Sequence, residues 1–424
     1  MSEQKAIYVY ADWEGLVEPT LMGILYSRRS RGHEIFSFQY NLEWIGKNDR
    51  QLDPDLKLYK TEQYLDGKKE NFGIFSDSAP DRWGKLIMDR REAWQADSEN
   101  RISRKLFQTD YLLGVHDGHR MGALRFKLDP EGDFLDNNDK YASPPGVLIR
   151  ELEEASLKFE NDELFDDPQY EKWIEMLLAP GASLGGARPK ASVKDSDGNL
   201  WIAKFPSIND QYDHGAWEYL VYQLAMDCRI SMAECKIQRF SSKHHTFMTK
   251  RFDRTSQGNR IHFASAMTML GYSDGLENTA GASYLEIAEF LMSKGSNVKE
   301  DLEELFKRIV FTICVSNCDD HLRNHGFLLN EAGWRLSPAY DINANETGMG
   351  LILNISLDDN RLDLRIPLSL HYEFRLTEER AHEIIRNTVE IVSSWQERAR
   401  KLGISGAEIK GKSRAFQVAT NYKS

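Results

Sequence analysis

Cysteine is scarce in this 424-residue chain: there are four, Cys228, Cys235, Cys314 and Cys318. So few, so spaced, exclude the disulfide framework that staples small secreted domains. Cys314, Cys318 and His321 could share one helix face. With no Cys-x-x-Cys and no fourth ligand nearby, buried free thiols account for them better than zinc does. Long apolar runs are also missing. The most apolar stretch, 309–315, is far short of the roughly 18 residues a membrane span needs. The opening MSEQKAIYVYADWEG lacks the basic-then-apolar pattern of a signal peptide, so a cytoplasmic protein with no membrane contact is expected. Basic charge is in deficit: 54 Lys and Arg stand against 66 Asp and Glu, for a net charge of -12. That balance argues against a broad surface for nucleic-acid phosphates. The locally basic segment from Arg398 to Arg414 reads as a solvated helix face.

What is present is ordinary for a globular protein, with 41% hydrophobic and 28% charged residues. The length suits two or three domains. No internal repeat or low-complexity tract interrupts it. Residues 6–10, 21–26 and 36–40 read as strands. A helix is expected over 78–93, capped by Ser78 with Pro80 in its first turn. Strand character resumes at 111–113 and 122–127, around an HDGHRM turn. The polar loop 129–145 is the best linker candidate. Residues 148–159 and 173–178 look helical. A hairpin is expected from 191–193 and 200–205 around the turn Asp195-Ser196-Asp197-Gly198-Asn199. Residues 216–228 are helical in pattern, and 237–240 and 246–250 read as strands. From about Ala264 the pattern is nearly all helical, clearest over 282–294, 302–316 and 378–402. The expected class is α+β, in three parts: 1–145, 146–255 and 256–424.

Chemistry concentrates at Asn317–Asn324. Asp319 and Asn324 are separated by four residues, the spacing of a kinase catalytic loop. Phosphoryl transfer needs a carboxylate near the acceptor hydroxyl and an oxygen ligand for Mg²⁺. Alone this match is weak, since either Asp319 or Asp320 could cap a helix or line a solvated turn. Context strengthens it: a strand at 326–329, a turn at 330–333 and a second strand at 334–336 lead to Tyr340-Asp341-Ile342. That hairpin would set Asp341 beside Asn324, and Mg²⁺ commonly takes one or two protein oxygens plus phosphate. Upstream, the glycine-rich segment 181–190 (GASLGGARPK) could bring backbone N–H groups to phosphate, although it is no Walker loop. Lys204 ends the strand LWIAK on a face shared with Leu200 and Ile202, unusual unless it meets an anion. Glu218 on the next helix could pair with it. The TKRFD segment ending at Asp253 has the position of an adenine-binding hinge.

Five ordered motifs, ASLGGARPK, WIAKFP, KRFDR, NCDDHLRNH and LSPAYDI, together resemble the HipA family of serine/threonine kinases, the toxins of bacterial toxin–antitoxin pairs. MGILY and IFSDSAPDRWGKLIMDRR resemble the family's N-terminal subdomain. The resemblance implies a protein-kinase-like fold, with an α/β N-terminal region and a mainly helical C-terminal lobe. It implies ATP and Mg²⁺ as cofactors and Asp319 as catalytic base, with Asn324 and Asp341 as metal ligands. ATP would be held by Ser183, Leu184, Gly185, Gly186, Lys204, Lys250, Phe252, His321, Asn324 and Asp341. Ser183 falls on the family's autophosphorylated serine. A HipB-like DNA-binding antitoxin is the implied partner, so that DNA is met only indirectly. A protein substrate of the aminoacyl-tRNA synthetase class is implied too. FASAMTML departs from the acidic pair found there in the better-studied toxins, which bears on the substrate rather than the chemistry. A small-molecule kinase and a non-catalytic partner-binding protein are the alternatives.

Overall fold

The computed structural model describes residues 4–30, 32–65, 69–138, 148–161, 167, 169–178, 188–276 and 278–422. The glycine-rich segment 181–187, with Ser183, Leu184, Gly185 and Gly186, lies outside the described residues, as does the end of the linker candidate, 139–145. The chain forms two compact units. The first comprises Met1–Asn209, Phe240–Ser242 and Lys250–Ser273, and the second Asp210–Arg239, Lys243–Thr249 and Asp274–Ser424. The class is α+β. No helix among the described residues is long and apolar enough to cross a membrane.

The first unit is built on a five-stranded sheet of β1 (Gln4–Ala11), β2 (Thr20–Ser30), β3 (His33–Tyr40), β4 (Gln63–Tyr64) and β5 (Leu124–Lys127), in the order β4-β3-β2-β1-β5. All its pairings are antiparallel. Alternation explains β1: Ile7, Val9 and Ala11 point to one face and are fully buried. The helix expected over 78–93 starts later, at Arg82, and runs to Ser98. Its N-cap is Asp81, whose carboxylate accepts from the Gly84 amide, while Ser78 closes a separate short helix, Gly73–Asp77. Two good N-cap residues three positions apart made the choice ambiguous, and Asp81 wins because a distant lysine also binds it. Residues 111–113 are a helix end (Gln108–Leu113), not a strand; a box between the Phe107 amide and Asp110 starts that helix. Beyond β5 the chain turns back, so that Leu135 bridges Phe126 and Arg125 covers Phe134.

Buried charge ties the HDGHRMG turn to the KRFDR segment. Arg120 is fully buried and donates to the carbonyls of Ser78, Leu112, Val115 and Leu135. Asp253 is also fully buried; it accepts from Arg251 (2.5 Å), Arg254 (2.7 Å) and the Gly122 amide (2.8 Å). Arg251 donates in turn to the carbonyls of His119 and Arg120, and Arg254 to that of Arg120. Burial would raise the Asp253 carboxyl, but the charges of Arg251 and Arg254 outweigh it and hold it at about 2. Burial draws Arg254 down to about 9 against the pull of Asp253.

The second unit is centred on helix Val298–Cys314, buried on nearly every side from Leu305 onward. Against it pack Tyr284–Lys294, started by a Ser283/Glu286 capping box, and Glu378–Ser393. The central helix stops at Cys314, so Cys318 and His321 do not continue its face. The long C-terminal helix expected over 378–402 breaks at Ser394 into two, and Trp395 then stacks on Phe416 at 4.2 Å. The basic C-terminal segment is not wholly solvated. Arg398 pairs with Asp227, and Lys412, largely buried, binds Glu346 and the Ala344 carbonyl.

Asp253→Asn is expected to destabilise the protein by about 3–5 kcal/mol, because two buried arginines lose their counter-charge; unfolding midpoints measure this. A carboxyl held below its ordinary 3.8 stabilises the fold above that pH, and the contribution is lost as pH falls through about 2. The variant should lack this acid-sensitive component.

Candidate functional site

The candidate catalytic-loop residues follow the central helix through a tight reversal. Ser316 adopts a left-handed backbone (φ 49°), unusual outside glycine, and Asp341 does the same (φ 57°). Between them runs the expected hairpin, Gly326–Asn330 with Gly333–Leu336, paired antiparallel. Its far strand is pinned where Asp301 accepts from Arg335 and from the Leu336 amide. The chain thus returns to the loop it left.

Three hydrogen bonds join the two segments, and a fourth lies within the second. The Asn343 amide donates to Asn317 Oδ1 (3.1 Å) and the Asn345 amide to the Ser316 carbonyl (3.2 Å). Tyr340 Oη donates to the Arg323 carbonyl (2.7 Å), and Asn343 Nδ2 to Asp341 Oδ1 (3.3 Å) within the second segment, steadying that carboxylate. Side-chain packing adds a constraint at Gly348, where a Cβ would stand 2.2 Å from Cys318 Sγ.

The two adjacent acids separate sharply. Asp319 is exposed and Asp320 buried. Asp320 is therefore no solvated residue: one of its oxygens accepts both Tyr284 Oη (2.5 Å) and His325 Nε2 (3.0 Å). Burial would raise the Asp320 carboxyl, yet the His325 and Tyr284 contacts outweigh it and hold it below the ordinary value. Burial and the facing Asp320 push the Tyr284 phenol well up, so it stays a donor. Sequence reasoning did not single out Tyr284, which lies in no motif, and met His325 only as the last residue of NCDDHLRNH.

Asn324 Nδ2 donates to the Asp319 carbonyl at 3.1 Å. This fixes the amide and leaves its Oδ1 as the group available to a ligand. Asn324 Oδ1 and the Asp341 carboxylate are hard oxygen donors, the kind that Mg²⁺ takes. Asn317 Nδ2, His321 Nδ1 and His325 Nδ1 are buried without hydrogen-bond partners among the described residues. Orphaned buried polar atoms are rare in native proteins. Three within nine residues fit a loop whose bonding is completed by a ligand.

In the first unit, Lys190–Lys194 and Leu200–Lys204 form the expected hairpin, with Asp195 binding the amides of Asp197 and Asn199 in its turn. Both faces of Leu200–Lys204 are buried, so Lys204 is not a snorkelling edge lysine. Its cross-strand partner Lys190 is bound by Asp81 at 2.7 Å, an ion pair whose side chains are each 1% exposed. Trp83 Nε1 donates to the Lys190 carbonyl. The hinge candidates sit just beyond: the Arg251 amide donates to the Leu200 carbonyl, and the Phe252 ring faces Phe263 at 5.9 Å. Glu218 is buried in the second unit, on helix His214–Asp227.

Residues 182–395, just over half of the chain, match the HipA-like C-terminal domain, and the chain belongs to that family. The solved complex of HipA, HipB and operator DNA from the toxin–antitoxin system of Shewanella oneidensis MR-1 contains a chain of similar fold. It has a TM-score of 0.64 and 16% identity, over 98% of this chain and 96% of that one. A curated Haemophilus influenzae relative, named as a kinase, is 25% identical over 183 residues, or 38% of this chain. The match spans about half (52%) of that relative's length. The fold is thus kinase-like, of the HipA type.

Gly348→Ala should cost about 1–3 kcal/mol through overpacking against Cys318, visible as a lowered thermal midpoint.

Proposed function

We propose that the chain is an ATP- and Mg²⁺-dependent serine/threonine protein kinase that transfers the γ-phosphate of ATP to a protein hydroxyl. The observation that carries this reading is the hydrogen-bonded frame of the second unit, in which exposed Asp319 stands beside Asn324 with its amide orientation fixed. Asp319 orients the acceptor hydroxyl and takes its proton, a contribution of roughly 10²–10⁴-fold. Asn324 and Asp341 hold the metal. When bound, Mg²⁺ supplies neutralisation of the charge developing on the transferred phosphoryl group.

Lys204 binds nucleotide phosphate, and Lys250 and Phe252 offer backbone groups to adenine. Backbone amides at Ser183, Leu184, Gly185 and Gly186 cradle phosphate, and His321 contributes a ring nitrogen. Ser183 is the autophosphorylation site. A phosphate there adds roughly -1.5 to -2 charge where ATP phosphates must sit, and silences the enzyme.

The partner is a DNA-binding antitoxin of the HipB type. The solved relative is a complex with HipB and operator DNA, and a net charge of -12 makes indirect DNA contact the reasonable mode for this chain. The substrate is a protein, with aminoacyl-tRNA synthetases the class to test first.

Incubation with γ-labelled ATP and Mg²⁺ should label the protein or an added acceptor. Asp319→Asn and Asp341→Asn should each reduce labelling at least about 10²-fold. Equal labelling of wild type and both variants would overturn the assignment.

A further inference from the structure

Asp320 is buried one residue from the proposed base, and its partners come from two directions. Tyr284 is the first residue of helix Tyr284–Lys294, and its hydroxyl reaches Asp320 Oδ2 at 2.5 Å. His325 follows Asn324 directly, and its Nε2 reaches the same oxygen at 3.0 Å. The two rings meet edge to face with centroids 5.6 Å apart. One carboxylate oxygen therefore ties the start of a helix to both ends of the 319–325 loop.

The backbone closes the same loop. The His321 amide donates to the Asp319 carbonyl, the Asn324 amide to the His321 carbonyl, and Asn324 Nδ2 to the Asp319 carbonyl. Asp319 and Asp320 are joined by one planar peptide, so an anchor on Asp320 limits how far the backbone that carries the Asp319 side chain can move. Charge-assisted hydrogen bonds are short and directional, which makes this anchor stiffer than packing alone.

We propose that Tyr284 and Asp320, with His325, are positioning residues: they hold Asp319 in its catalytic orientation, and Tyr284 acts only through Asp320. The inference rests on the kinase reading above. It adds that rate depends on a phenol–carboxylate contact that touches neither nucleotide nor acceptor. Misplacing a catalytic group by about 1 Å costs on the order of 10²-fold in rate, while nucleotide binding through other residues is untouched.

The test is a double-mutant cycle on the full chain. Turnover of γ-labelled ATP with Mg²⁺, to the protein itself or to water, is measured for wild type, Tyr284→Phe, Asp320→Asn and the double variant, with ADP affinity and thermal midpoint for each. Tyr284→Phe keeps the ring and removes only the hydroxyl. It should lower kcat about 10-fold with KM for ATP within about twofold, and Asp320→Asn should lower it about 100-fold. The double variant should be no slower than Asp320→Asn, because coupled residues are non-additive. Independent, multiplying effects would overturn the proposal, as would folded variants with wild-type kcat and only a lowered midpoint. If Asp320→Asn does not fold, Tyr284→Phe decides on its own kcat. An inactive wild type, or one matched by Asp319→Asn, would sink the kinase reading instead.

Discussion

Asp253 is the point on which the first unit depends. A carboxylate fully removed from water is tolerated only when its lone pairs are filled and its charge is balanced. Here two guanidinium groups and one backbone amide do both. Because Arg251 and Arg254 also reach the carbonyls of His119 and Arg120, the same charge orders two remote stretches of chain. The path of the chain just after Lys250 is thereby set by electrostatics, where it would otherwise be a free connector.

The second unit solves a different problem. It presents an exposed acid, Asp319, on a loop closed by hydrogen bonds. It ties each candidate group to a neighbour: exposed Asp319 adjoins buried Asp320, buried Asn324 donates to the Asp319 carbonyl, and half-buried Asp341 accepts from exposed Asn343. Left-handed backbone at Ser316 and Asp341 brackets this stretch. Strain at non-glycine positions persists where surrounding bonds over-determine it, and the four hydrogen bonds between and within the two segments supply that.

Much of this was legible in the sequence, for a physical reason. Periodicity reports burial, so four of the five strands of the first sheet and the central helix declare themselves within a few residues, while the two-residue β4 is too short to show a period. Spacing reports local chemistry, so Asp319, Asn324 and Asp341 stand out. What stayed hidden depends on partners far along the chain. Ser78 and Asp81 are equally good caps locally, and only Lys190, more than a hundred residues on, decides between them. The burial of Asp320 follows from Tyr284, and nothing in the sequence around either residue announces the other. The strand expected at 111–113 failed because the Asp110 box imposes helix on residues of good strand propensity.

The ion pair between Asp81 and Lys190 bears on how this protein can be dissected. The region that carries the family's signature begins at residue 182, and the loop before residue 146 invites a cut. A fragment starting at either place would keep Lys190 but lose Asp81 and Trp83, and would keep Arg251 but lose its carbonyl acceptors. It would bury the Lys190 ammonium without the carboxylate that balances it here. The boundary of the recognisable family region is therefore not a folding boundary: the amino-terminal residues belong to the same cooperative unit as the strands that follow, and homology and foldability divide the chain in different places.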